Sequence, residues 1–114
     1  MNEKAIRNAE LELRRGILTL SVLSQLQTRQ YGYSLLQALT DHGLEIDQNT
    51  LYPLLRRLEQ QGFLDSDWSV AESRPRRYYV LNQQGKEALQ IMLDQWQQLV
   101  ATMERLLPMK EELQ

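Results

Sequence analysis

The chain reads as a mainly α-helical fold carrying one small β-hairpin, and three patterns predict it. Leucines recur at positions 51, 54, 55 and 58, which is one face of a short helix. Arg76 to Leu81, rich in aromatic residues, follows a basic proline-containing turn, as the second arm of a hairpin would. Leu89, Leu93, Trp96, Val100, Met103 and Leu107 then recur at alternating spacings of four and three, the repeat of a long amphipathic helix. The order of these parts is that of a winged helix-turn-helix followed by a long C-terminal helix.

Length and composition bound this reading. A chain of 114 residues with 42% hydrophobic content has room for one small core, burying roughly two-thirds of the unfolded surface. With no cysteine there is no disulfide framework, thiolate metal site or cysteine nucleophile, which fits a reducing, cytoplasmic setting. The charged start, Met1-Asn2-Glu3-Lys4, leads into an amphipathic stretch, not the apolar core of a signal peptide. No run reaches the ~18 apolar residues of a membrane span. The expected division is a winged region over residues 1–82, a long helix over 83–108 and a tail over 109–114.

The first helix is expected from about Ala5 to Leu26, with Leu11, Leu13, Ile17, Leu18, Leu20, Val22, Leu23 and Leu26 as its core face. Gly16 costs it up to ~1 kcal/mol relative to alanine, which suits a close backbone neighbour. A second helix runs from Tyr31-Gly32-Tyr33 to Thr40, and His42-Gly43 closes it. The third helix carries the leucine stripe; its opposite face holds Asn49, Pro53, Arg56 and Gln60, flanked by Tyr52 and Arg57. Asp47 and Asn49 both suit its N-cap. Pro53 is best tolerated early in a helix, so a late start or a tightened first turn is expected.

Gln61-Gly62 ends that helix, and Phe63 to Ser69 is expected as the first arm of a two-stranded flap, with Ala71 to Pro75 at its tip. Trp68, Tyr78 and Tyr79 are ambiguous, with packing of the flap against the helices as the favoured role. Asn82 is the expected N-cap of the last helix. Its Leu89–Leu107 repeat is widened by a third column, Met92, Leu99 and Leu106. At about 25 residues it would be ~37 Å long, more than so small a domain covers. Leu89, Met92, Leu93, Trp96, Leu99, Val100, Met103, Leu106 and Leu107 are therefore the expected dimerisation surface. Folding back on Ile17 and Leu20 would account for part of it. Pro108 ends the helix and a frayed tail follows.

Thirteen basic and fifteen acidic residues give a net charge of −2, an unusual sum for a nucleic-acid binder, but the distribution is uneven. Arg56 and Arg57 stand in a helix segment without acids, and Arg74, Arg76 and Arg77 in a hairpin segment without acids. His42, the one histidine, lacks companions for metal binding or catalysis. No phosphate-cradling glycine loop or nucleophile motif occurs, so an enzyme is not expected and no cofactor or metal is implied. A winged-helix adaptor that binds protein is the rival reading, with the wing arginines as the feature it leaves unexplained.

Taken in order, Tyr31-Gly32-Tyr33, Thr50-Leu51-Tyr52-Pro53, Arg57-Leu58-Glu59 with Gly62, Trp68, Arg74-Pro75-Arg76-Arg77-Tyr78-Tyr79, Leu81 and Gly85 resemble the PadR family of bacterial transcriptional regulators, in its short form with a single C-terminal dimerisation helix. The resemblance covers about Leu13 to Leu107. Asn49 and Ser73 depart from it, standing where the family usually has glycine. The resemblance implies a homodimer that binds an inverted-repeat DNA operator, usually as a repressor, and often releases it on a small-molecule or stress signal. Two-fold symmetry would set two recognition helices roughly 34 Å apart, in successive major grooves. Asn49, Tyr52 and Arg56 would then approach base edges, Arg56 with a bidentate geometry for guanine. Thr50, Tyr31, Tyr33 and Ser34 would meet phosphates, while Arg74, Arg76 and Arg77 would bring the wing to the backbone or minor groove. Some relatives bind planar aromatic compounds at the dimer interface, and Trp96 with Met92, Leu99 and Met103 is the candidate effector pocket.

Overall fold

The leucine stripe at positions 51, 54, 55 and 58 decides the architecture, because in the computed structural model all four side chains are buried against two other helices and a sheet. Residues 2–70 and 74–113 are described; the expected wing tip at Ala71, Glu72 and Ser73 lies outside them. The elements are α1 (Glu3–Gln25), β1 (Gln30–Tyr31), α2 (Gly32–Asp41), α3 (Gln48–Gln60), β2 (Leu64–Ser69), β3 (Arg76–Leu81) and α4 (Gln83–Leu106), with a short 3-10 helix at Lys110–Leu113.

Caps and turns set the boundaries. Asp47, not Asn49, caps α3: its Oδ1 accepts from the Thr50 amide at 2.8 Å. Pro53 sits inside α3, and the helix neither starts late nor breaks. The carbonyl that loses its donor is that of exposed Asn49, so water replaces the missing bond while the buried leucines hold the helix. His42 caps α2 with its Nδ1 2.7 Å from the Ala38 carbonyl, an arrangement that needs a proton on that nitrogen. Gly62, with φ 88°, supplies the left-handed residue that reverses the chain from α3 into β2. Asn82 then ties three elements together: its Oδ1 accepts from the Gly85 amide at 2.9 Å and caps α4, while its Nδ2 donates to the Gly62 carbonyl at 2.9 Å.

The sheet has three strands in the order β1-β3-β2, antiparallel throughout, not the two of the expected flap. The extra strand is short, pairing Gln30 with Tyr79 and Tyr31 with Tyr78. β2 and β3 pair in register from Leu64 with Leu81 to Ser69 with Arg76. One sheet face closes on α3 through Leu64, Tyr79 and Leu81. Burial pushes the Tyr79 phenol above its ordinary pKa. The neutral ring is the form the fold keeps, so its contribution is fully present below the ordinary phenol value and is lost as pH rises from there through the raised one.

The core uses only the C-terminal half of α1. Val22, Leu23 and Leu26 are buried, whereas Leu11 and Leu13, expected in the core, are 42% and 80% exposed. Gly16 has no close backbone neighbour, and nothing in the chain's own packing explains it. The far half of α4 projects likewise, leaving Leu93, Trp96, Leu99, Met103, Leu106 and Leu107 exposed. The radius of gyration is accordingly 16.9 Å, against about 13 Å for a compact domain of this length. Within the expected tail, Lys110–Leu113 form a 3-10 turn and are not frayed.

Leu55 is fully buried beneath all of this. Leu55→Ala is expected to cost about 2–5 kcal/mol, read as a lower midpoint of urea unfolding.

Candidate nucleic-acid interface

α3 and the hairpin leave a cleft between them, with a volume of about 630 Å³. Its lining gathers Tyr31, Tyr33, Tyr52, Arg56, Arg74, Arg76 and Arg77 from the expected site. Each arrives from a different local rule. Burial of the leucine stripe turns Arg56 outward, where it is exposed. Tyr31 and Tyr33 flank the start of α2, and β3 alternation aims Arg77 and Tyr79 to one face and Arg76 and Tyr78 to the other. The remaining expected residues lie elsewhere. Asn49 is exposed in the first turn of α3, and Thr50 lines a separate cleft with Arg14 and Asp47. The Ser34 hydroxyl accepts from the Tyr31 amide at 3.2 Å and donates to the Tyr31 carbonyl at 2.9 Å, serving as an internal cap of α2.

Gly32 explains how Tyr52 is placed. A Cβ at Gly32 would collide with the Tyr52 ring, so the start of α2 and the middle of α3 approach closely only because that side chain is missing. Tyr52 is thereby half-buried, its hydroxyl end against the start of α2, and it lines the cleft.

The arginines are not equivalent. Arg77 is turned inward onto α3, where its Nη2 donates to Glu59 Oε1 at 2.9 Å and its Nε donates to Ser66 Oγ at 3.1 Å. The Ser66 hydroxyl in turn donates to Glu59 Oε2. Its guanidinium also lies 5.9 Å from the Trp68 ring centre and 5.7 Å from that of Tyr79. This side chain is a strut between α3 and the hairpin, and its charge is largely answered within the protein. Arg76 lies on the opposite sheet face, its guanidinium 4.4 Å from the Tyr31 ring centre, and Arg74 is exposed.

Sequence reasoning missed Arg29. It lies 3.8 Å over the Tyr78 ring and forms a two-pronged pair with Asp67, Nη2 to Oδ2 at 2.7 Å. Tyr78 meets Tyr31 edge-on at 5.4 Å, so the outer sheet face alternates cation and ring from Arg29 through Tyr78 and Tyr31 to Arg76. Hydrogen bonding from Arg29 holds the Asp67 carboxyl below the usual carboxylate range. That contribution is present at neutral pH and is lost as pH falls through the depressed value; both groups are well exposed, so it is small. No local pattern flags Arg29, because its partners sit on strands distant in sequence.

A second, more apolar cleft of about 850 Å³ lies between α1 and α4, lined by Ile17, Leu20, Leu89, Leu93 and Trp96 among others. Of the expected effector residues only Trp96 is there. Met92 turns into the core, and Leu99 and Met103 lie farther along α4. Ile17 and Leu20, which line it from α1, belong to the core face expected from sequence. Among the described residues no cluster of histidine and carboxylates could hold a metal, and no helix is long and apolar enough to cross a membrane.

Comparisons with known proteins bear on the family and the fold. Residues 19–91 match the family described as transcriptional regulator PadR-like. The chain is 37% identical over 79 residues to the transcriptional regulator Rv3488 of Mycobacterium tuberculosis, covering 68% of this chain and 74% of that protein. Among solved structures, a PadR family transcriptional regulator from Eggerthella lenta is 45% identical with a TM-score of 0.85, over 91% of this chain and 93% of its own. A Streptococcus transcriptional regulator is 31% identical with a TM-score of 0.74, over 82% and 95%.

If Arg77 is a strut, Glu59→Ala should destabilise the protein by about 1–2 kcal/mol, a charge-assisted bond discounted for partial exposure. Thermal unfolding of the variant beside Arg77→Ala and the double variant measures it. Additive losses would mean the two side chains act independently.

Proposed function

The chain belongs to the PadR-like family of transcriptional regulators, and from that premise we propose that it is a homodimeric, sequence-specific repressor that releases an inverted-repeat operator in response to a ligand or stress signal. Membership of this family places it among DNA-binding regulators and not among enzymes. The observation that carries the finer reading is the cleft between α3 and the wing, where Arg56, Arg74 and Arg76 converge with Tyr31, Tyr33 and Tyr52. Arg56, on the exposed face of α3, is the residue for a base edge in the major groove, beside Asn49 and Tyr52. Arg74 and Arg76 serve the phosphates or the minor groove. Arg77 acts on the DNA through the angle it fixes between wing and helix.

Dimerisation is supported by the apolar surface that this chain leaves in water. Trp96, Leu99, Met103, Leu106 and Leu107 form a continuous exposed stripe on α4, and Leu13 extends the α1 stripe of Ile17 and Leu20. A second copy that covers these faces would unite two winged domains about one axis, as an inverted repeat requires. The cleft beside Trp96 would open onto that interface. Its apolar walls and flat indole suit a planar aromatic effector, whose binding could change the spacing of the two wings.

Sequencing of DNA selected from a random duplex library should yield a two-fold-symmetric motif; a protein that is folded and dimeric yet enriches nothing would favour the adaptor reading. Arg56→Ala should relax one base position in each half of the motif by about 1–3 kcal/mol. An unchanged preference profile would remove Arg56 from base reading. Saturable quenching of tryptophan fluorescence by planar aromatic compounds, lost in Trp96→Ala, is the expected result for the effector site; quenching that persists in that variant would locate the binding elsewhere.

A further inference from the structure

Trp68 on β2 is 64% exposed, although the sequence assigns it to packing. Strand alternation explains where it points. Leu64, Ser66 and Trp68 share the sheet face turned toward α3. Leu64 is buried there and Ser66 is bonded to Glu59. Trp68, the next residue on that face, overhangs the cleft beside Arg56, Tyr33 and Arg74. Its position is not loose. It pairs in register with Arg77, whose guanidinium faces the indole and is fixed by Glu59. A large ring is thus held at the mouth of a cationic cleft with much of its surface in water, at a cost that burial against a partner would recover.

The occupant follows from the geometry of a duplex. A helix in the major groove and a wing at the neighbouring minor groove are separated by one sugar-phosphate strand, and that strand must cross the notch between them. Its phosphates match Arg74 and Arg76, while its deoxyriboses offer apolar edges that arginine does not satisfy. The geometry points to Trp68 as a DNA-contact residue that packs its indole on the deoxyriboses of the crossing strand. It rests on the DNA-binding reading above and adds a component of affinity that releases no counterions. The arginines make binding depend on salt; Trp68 makes part of it independent of salt.

The test uses full-length protein and a duplex carrying its selected motif. Two indole N–H signals are expected in the nitrogen-correlated NMR spectrum, from Trp68 and Trp96, and the one absent from Trp68→Phe identifies Trp68. Adding duplex should shift that signal and protect it from broadening by a soluble gadolinium chelate. Trp68→Ala should weaken binding on the order of tenfold at every salt concentration with an unchanged salt slope, and Trp68→Phe by less, whereas Arg74→Ala should flatten the slope. A Trp68 signal that stays unmoved and chelate-accessible while the protein binds duplex would overturn the assignment, even if Trp68→Ala fails to fold. Wild-type affinity in a folded Trp68→Ala would overturn it as well. If no duplex is selected at all, the DNA-binding reading falls first and this contact falls with it.

Discussion

Burial of one face of α3 is the constraint on which the rest of the molecule depends. Leu51, Leu54, Leu55 and Leu58 leave no rotational freedom to the helix, because turning it would exchange leucines for arginine, proline and glutamine in the core. Once they are inside, Asn49, Pro53 and Arg56 must be outside. The surface that faces a partner is therefore fixed by what the core excludes, and its precision comes from packing, not from its own polar contacts. Gly32 sharpens the result by letting α2 lie close enough to set the Tyr52 ring.

That logic also explains which parts could be read from the chain. The periodicity of α3 and α4, the Asp47, Asn82 and Gly62 signals at their ends, and the run from Arg76 to Leu81 are local, and the structure has elements at those places. β1 was not readable, since two residues carry no alternation and pair only because α2 begins beside β3. Pro53 misled in the other direction: propensity argued for a late or distorted start, and tertiary burial of four leucines outweighed it. Leu11 and Leu13 follow a helical stripe that sequence cannot divide between a chain's own core and a surface awaiting something else.

The candidate site was legible in composition but not in division of labour. Arg74, Arg76 and Arg77 form one basic cluster in sequence, yet strand alternation sends Arg76 and Arg77 to opposite sheet faces. Only the fold supplies Arg77 with Glu59, eighteen residues away along the chain, and Arg29 with Asp67, thirty-eight away. Both pairs tie strands to distant parts of the chain, one joining β3 to α3 and one spanning the face of the central strand from the start of β1 to β2. Trp68 was misjudged for a related reason. An aromatic residue on a core-facing strand face is normally buried, but this strand outruns the helix that would cover it.

The slight negative charge of the chain and its use of DNA are compatible once charges are counted by location. Glu59 answers Arg77 on the α3 side of the sheet and Asp67 answers Arg29 on its outer face, so these two acids near the wing are already paired within the protein. The acids of α4 lie on a helix outside the cleft lining. Arg56 and Arg74 are both exposed in the cleft, and potential near the surface decays within about 8 Å at physiological salt, so distant acids weaken theirs little. A modest number of phosphate contacts also implies a modest salt slope. A regulator built this way would take much of its affinity from shape, from the fixed angle of the wing and from apolar contact, and relatively little from bulk charge. Any signal that alters the distance between two wings would then act on the largest part of that affinity, because a rigid cleft cannot follow a displaced groove.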